Sequence, residues 1–273
     1  IVDFRDEWTK NPYIIDMKYP KYRINKEVKM EKEVVGLCDA FITNTSYMLE
    51  NFFQDYDVLR KKSYVIPNGF DDKDFEAFDT DYTYKEAFRI TYAGAMYGRR
   101  KPNKLFEGVR QLIDEGKLDK TKLEIRLIGA MDVARITGYV EEAGLKDVVT
   151  MEDYLPHKEA IKALTESDVL LLLIGEGKGA ENFSSGKIFE YINCNRPILG
   201  IVPKVGAAAD IINETQAGII CETSSVEEIK AGVLELYKRW VDKSLIRKPD
   251  SDAVNRYHRR ELTRALAEIF DSF

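Results

Sequence analysis

An α/β fold built on a parallel sheet is the class this sequence predicts, and three observations predict it. From Phe88 onward, short apolar runs alternate regularly with longer amphipathic ones, the pattern of strand and helix in turn. Two of the runs, Asp168-Val-Leu-Leu-Leu-Leu-Ile174 and Pro197-Ile-Leu-Gly-Ile-Val202, are apolar almost throughout, as strands are when helices cover both faces of their sheet. The chain has 273 residues, of which 44% are hydrophobic, enough for one large core or two smaller ones.

Ile1–Phe4 reads as a short strand, and a chain that begins in mid-strand is expected to be part of a longer one. Residues 26–37 read as an amphipathic helix carrying Val28, Met30, Val34, Val35 and Leu37 among charges. Strand Ala40–Thr43 follows, then a helix from Ser46 whose buried side is Met48, Leu49, Phe52 and Phe53. Strand Ser63–Ile66 ends at Pro67-Asn68-Gly69, where Asn and Gly tolerate positive φ and break the chain. A domain junction is expected there or in the acidic segment 70–80. Asp71, Asp72 and Asp74 do not have calcium-loop spacing and read as solvated turn residues.

The regular part starts with strand Arg89–Ala93 and a helix over 102–115, with Pro102 in its first turn and Leu105, Phe106, Val109, Leu112 and Ile113 on its core side. Strand Leu123–Ile128 and helix 131–143 come next, then strand Val148–Met151 and helix 157–166. Strand 168–174 precedes helix 185–194; strand 197–202 precedes helix 206–214; strand Gly218–Cys221 completes six. Helix 226–240, with Val226, Ile229, Val233, Leu236 and Trp240 at helical spacing, closes this Rossmann-like unit. After Lys248-Pro249 a single last helix, 252–271, carries Leu262, Leu266, Ile269 and Phe270 and serves this unit or reaches back to the first.

Composition excludes several chemistries. A net charge of −6 does not favour nucleic acid or an anionic membrane as partner. Cys38, Cys194 and Cys221 are scattered and odd in number, which reads as reduced thiols in an intracellular protein. With only His157 and His258, neither an imidazole metal site nor a Ser-His-Asp triad is expected. No run approaches the roughly 20 apolar residues of a membrane span.

Two clusters carry chemistry. The polar loop after Ile174 leads to a helix expected to open at Ser184 or Ser185, with backbone N–H groups at Ser184, Ser185 and Gly186 suited to phosphate. Lys187 and Glu190 share one side of that helix, where Glu190 could take two ribose hydroxyls; an ordinary i, i+3 Lys–Glu pair beneath a Ser cap is the other reading. Arg99, Arg100 and Lys104 follow the strand ending at Ala93 and bring cations to the same sheet edge. There they would grip a diphosphate and stabilise it as a leaving group, or form a basic solvated turn. The dinucleotide and P-loop glycine signatures are absent.

Asp3-Phe-Arg-Asp-Glu-Trp8, Ile66-Pro-Asn-Gly-Phe-Asp71, Tyr92-Ala-Gly-Ala95 with Gly98-Arg-Arg-Lys-Pro102, Leu155-Pro-His-Lys-Glu159, Lys187-Ile-Phe-Glu-Tyr191 and Arg196-Pro-Ile-Leu199 occur in this order. Together they resemble the retaining, nucleotide-sugar-dependent glycosyltransferases of family 4, which have the GT-B fold of two facing Rossmann-like domains. The resemblance implies residues 1–68 as the end of the acceptor-side domain, 69–250 as the donor domain and 251–273 as a crossover helix. It implies Glu190 on the donor ribose, Arg99, Arg100 and Lys104 on the diphosphate, and the amides of Ser184, Ser185 and Gly186 on phosphate. It further implies Gly129, Tyr154 and Leu155 beside the base, and Glu181, Asn182 and Phe183 at the transferred sugar. The commoner pattern spaces two glutamates by seven residues; here eight separate Glu181 from Glu190, and position 182 is Asn.

The expected reaction is transfer of a hexosyl unit from a UDP- or GDP-linked sugar to a growing surface glycan or glycolipid. No metal or other cofactor is implied. The expected place is the cytoplasm or the inner face of the membrane, with peripheral contact at most. Because the stretch before Pro67 is short for an acceptor domain, the chain is expected to bind donor but turn over poorly. Alternatives are a sugar-nucleotide 2-epimerase of the same fold and a non-catalytic sugar-nucleotide-binding or interaction module.

Overall fold

The computed structural model describes residues 1–78, 82–246 and 249–273, so Lys248 and the end of the 70–80 segment lie outside the described residues. Two parallel sheets organise the chain. The first holds β1 (Val2–Phe4), β2 (Phe41–Thr43) and β3 (Ser63–Val65) in that order, with Val2 beside Phe41 and Phe41 beside Ser63. The second holds β4 (Phe88–Ala93), β5 (Leu123–Ile128), β6 (Val149–Glu152), β7 (Val169–Leu173), β8 (Ile198–Ile201) and β9 (Gly218–Cys221), ordered β6-β5-β4-β7-β8-β9 and parallel throughout. This is the expected α/β class.

Strand alternation explains why β7 has no polar position. Val169, Leu171 and Leu173 face one side of the second sheet, and Leu170, Leu172 and Ile174 face the other. On the first side lie α4 (Asn103–Asp114), α5 (Val133–Glu142) and α9 (Val226–Val241), through Leu105, Phe106, Val109, Leu112, Ile136, Val140, Ile229, Val233 and Leu236. On the second lie α6 (His157–Thr165), α7 (Lys187–Asn193) and α8 (Ala207–Thr215), through Ile161, Leu164, Ile188, Phe189, Ile192, Ala208 and Ile212.

α2 (Lys21–Leu37) and α3 (Ser46–Phe53) pack on the first sheet through Val35, Met48, Leu49 and Phe52, and the short α1 (Pro12–Asp16) precedes them in the chain. α1 is not expected from the sequence, and α2 starts five residues before the expected 26. Of the apolar residues read as its buried stripe, Val35 is 1% exposed, but Val28, Met30 and Leu37 are exposed. The stripe that packs instead includes Glu31, buried because Thr9 N and the Tyr56 hydroxyl donate to it at 2.9 and 2.8 Å.

The single helix expected over 252–271 is two helices, α10 (Ser251–Asn255) and α11 (Arg259–Asp271). The break has a cause: Phe70 N donates to Tyr257 O at 3.1 Å and Arg259 N donates to Phe70 O at 2.9 Å, so extended backbone replaces a helical turn. A Cβ on Gly69 would meet Tyr257 O at 2.3 Å, which ties this crossing to the Pro67-Asn68-Gly69 turn. α11 then lies on the first sheet, with Leu262, Leu266 and Ile269 against Ala40, Ile42 and Ile66. Among the described residues no helix is long and apolar enough to cross a membrane.

Candidate functional site

β4 sits between β5 and β7, so the chain proceeds from β4 toward one edge and resumes at β7 on its other side. Crevices open beyond the carboxyl ends of strands at such a reversal. The loops after β4 and β5 are locked together there: Gly94 N donates to Ile128 O and Met96 N to Ala130 O, both at 2.8 Å. Gly94 (φ +124°) and Gly129 (φ +121°) take conformations that L residues rarely adopt, and a Cβ on Gly129 would lie 2.7 Å from the Gly94 carbonyl oxygen.

Lys187 exploits the bare backbone of Gly94. A Cβ there would come within 2.1 Å of Lys187 Cε, so the lysine stem lies flat across the glycine, and its ammonium sits 5.2 Å from the Tyr92 ring centroid. Burial pulls the Lys187 pKa down to about 8; the positive charge of Arg100 pushes the same way and the Glu190 carboxylate opposes. Arg100 is steadied on the Ala95 carbonyl at 3.4 Å and over the Tyr97 ring at 5.0 Å. Lys187 and Arg100 thus lie close enough to feel each other's charge, with the Glu190 carboxylate as the opposing one.

The helix tip differs from expectation. α7 begins at Lys187 with Gly186 at its cap, not at Ser184 or Ser185, because Ser185 takes φ +60° and leaves the helical path; Ser184 is buried. Glu190 does not form the alternative i, i+3 pair: among the described residues no ion pair joins it to Lys187, and its Oε1 lies 2.9 Å from His157 Nε2.

The three cations after β4 also separate. Arg100 stays beside Lys187, whereas Arg99 gives Nε and Nη2 to Asp16 of α1 at 2.8 and 2.7 Å and Nη1 to Lys178 O at 3.2 Å. Lys104 pairs with Glu176 at 2.5 Å, on the wall of a neighbouring cavity beyond β7 and β8. Of the residues placed beside a base, Gly129 underlies Gly94, Leu155 packs on the core and Tyr154 stands in solvent, 76% exposed.

Glu181 and Asn182 line a cleft of about 540 Å³ walled on its far side by Tyr47 and Asn51 of α3. Asn182 is buried, accepting from Thr45 Oγ1 at 3.0 Å and donating to Glu7 Oε1 at 3.1 Å, so it fastens the second unit to the first. Burial pushes the Glu7 carboxyl up. Phe183 borders a small crevice with Arg99 and Arg100. The sequence reading omitted His157, Asp16, Glu7 and Tyr92 from the site. Only His157 had a usable signal, since it opens the helix after a strand of this edge.

The profile of the glycosyl transferases group 1 family matches residues 81–250. No curated protein matches the chain in sequence. Among solved structures, Anabaena HepE, in complex with UDP and glucose, is 14% identical with a TM-score of 0.71, covering 91% of this chain and 67% of that one. A glycosyltransferase from Rickettsia africae is 14% identical with a TM-score of 0.69, covering 86% and 63%. A mutant of TarM from S. aureus, in complex with fondaparinux, alpha-GlcNAc-glycerol and UDP, is 14% identical with a TM-score of 0.68, covering 90% and 46%. The chain therefore spans between about half and two thirds of these structures. At such identities the likeness shows the fold, GT-B, while the profile covers well over half the chain. The protein belongs to the group 1 glycosyltransferases.

Proposed function

We propose that this chain carries the donor site of a retaining glycosyltransferase that moves a hexosyl unit from a UDP- or GDP-linked sugar to a glycan or glycolipid acceptor. The observation that carries the reading is Lys187, laid over the bare backbone of Gly94 at the sheet reversal and within electrostatic reach of Arg100. They would hold the diphosphate and stabilise its charge as the glycosidic bond breaks, with the amides of Gly186 and Lys187 adding donors. Glu190, oriented by His157, would accept the two ribose hydroxyls. The departing phosphate oxygen would take the acceptor proton, without a metal ion. Residues 1–68 and 251–273 would frame the acceptor side of the cleft, 69–250 the donor side, with the protein at work in the cytoplasm or at the inner membrane face. HepE and TarM, both with UDP bound, support the donor class.

Glu190→Ala tests the ribose assignment. Loss of hydrogen bonds to a charged group removes about 1.5–3 kcal/mol, so UDP or GDP binding is expected to weaken roughly 10- to 100-fold. The side chain is about one-third exposed and pairs with His157 at the surface, so Tm should hold. Unchanged affinity by calorimetry would remove Glu190 from the site.

A further inference from the structure

The crevice at Arg99 and Arg100 is covered by a segment of the first unit. Pro12, at the start of α1, is buried, and a Cβ on Gly179 would meet its Cγ at 2.5 Å, so the ring rests directly on that backbone. Pro12, Phe183, Gly175 and the two arginines leave a void of about 10 Å³, room for about one water. Four residues on, the Asp16 carboxylate takes the Arg99 fork through Nε at 2.8 Å and Nη2 at 2.7 Å. The hydrogen bonds from Arg99 hold the Asp16 carboxyl below the usual carboxylate range.

Arg99 itself is well placed. A Cβ on Gly175 would lie 2.4 Å from Arg99 Cβ, and one on Gly177 would lie 2.9 Å from its Nη1, so the guanidinium stem runs over two bare glycines after β7. The planar fork fits a carboxylate and a phosphate equally well, and the Asp16 carboxylate takes it up here.

We infer that α1 is a strap across the diphosphate crevice, latched by Asp16 on Arg99, and that a nucleoside diphosphate binds by displacing this carboxylate from the arginine. The inference rests on the donor-site reading above. Arg99 exchanges carboxylate oxygens for phosphate oxygens and keeps its hydrogen bonds, while Pro12 leaves Gly179 and the void widens. The latched state lowers apparent affinity by the fraction of molecules it holds closed. Asp16 is half exposed in the pair, so the latch is weak enough for a ligand to open.

UDP and GDP are titrated calorimetrically at low salt into the wild-type chain, Asp16→Ala, Arg99→Ala and the double variant, with Glu190→Ala alongside. Asp16→Ala should bind about two- to fivefold tighter, the worth of one surface ion pair. Arg99→Ala should bind more weakly and erase the gain in the double variant. Amide exchange over residues 12–18 of the wild type should speed up when nucleotide binds. Binding by Asp16→Ala where the wild type shows none also supports the strap. Equal or weaker binding by Asp16→Ala, with Glu190→Ala impaired, overturns the strap and leaves the donor site standing. Absence of binding by every variant, Asp16→Ala included, overturns both, since removing the latch should open the crevice.

Discussion

Lys187→Met is expected to weaken UDP or GDP binding roughly 10- to 100-fold, the worth of about 1.5–3 kcal/mol in charge-assisted hydrogen bonds, and to remove a proton from the binding equilibrium. In the free protein Lys187 titrates at about 8 instead of 10.5, chiefly because it is buried, with Arg100 pressing the same way. A diphosphate placed between the two cations raises that pKa. Between the two values the complex holds a proton that the free protein has lost, so binding takes up protons near pH 9 and affinity falls as pH rises through 8. Calorimetry in buffers of different ionisation enthalpy reads the uptake directly.

Stability moves in the opposite sense. A lysine whose folded pKa lies below its unfolded value destabilises the fold fully below about pH 8, and the penalty fades as pH rises toward 10.5, because the unfolded chain binds more protons in that window. Lys187→Met should therefore raise Tm at pH 7 and lose that advantage at higher pH. A Lys187→Met protein that binds UDP as the wild type does, with the same proton uptake, would refute the placement of the diphosphate.

Gly129→Ala is expected to damage fold and site together. The residue is held at φ +121°, where an alanine is strained by about 1–3 kcal/mol, and its methyl would sit 2.7 Å from the Gly94 carbonyl oxygen, a backbone atom that cannot swing aside. Tm should fall by roughly 5–10 °C, at about 2–4 °C per kcal/mol for a chain of this size. The surviving folded protein should bind nucleoside diphosphate at least about tenfold more weakly, because displacing Gly94 displaces the floor under Lys187. Gly116→Ala is the control: φ is +65°, but a Cβ there meets nothing within 4 Å, so the expected loss is the left-handed strain alone, about 1–2 kcal/mol, with binding intact. If Gly129→Ala proves no worse than Gly116→Ala, the two loops are not mechanically joined.

Local pattern made much of the second sheet legible. β7 and β8 show as apolar runs because both their faces are buried, and α4 and α9 show as 3.6-residue periods because each covers one face. Glu190 and Lys187 could be placed on one helix for the same reason. The first unit was harder. Its strands are three residues long, and α2 buries Glu31 while exposing Met30 and Leu37, so hydrophobic spacing pointed to the wrong stripe. The break before α11 was hidden because its cause, Phe70, lies in another part of the chain.

By itself, then, the sequence determined the parallel α/β class, the alternation of strands and helices from β4 to α9 and the two polar loops that follow β4 and β7, because each depends on neighbours within a few turns of chain. Tertiary structure alone decided that Arg100, and not Arg99, keeps company with Lys187, that Asp16 comes across 83 positions to meet Arg99, and that His157 turns Glu190 away from its helical neighbour. Those are competitions between charges for partners brought close only by folding, and no periodicity along the chain records which partner is nearer.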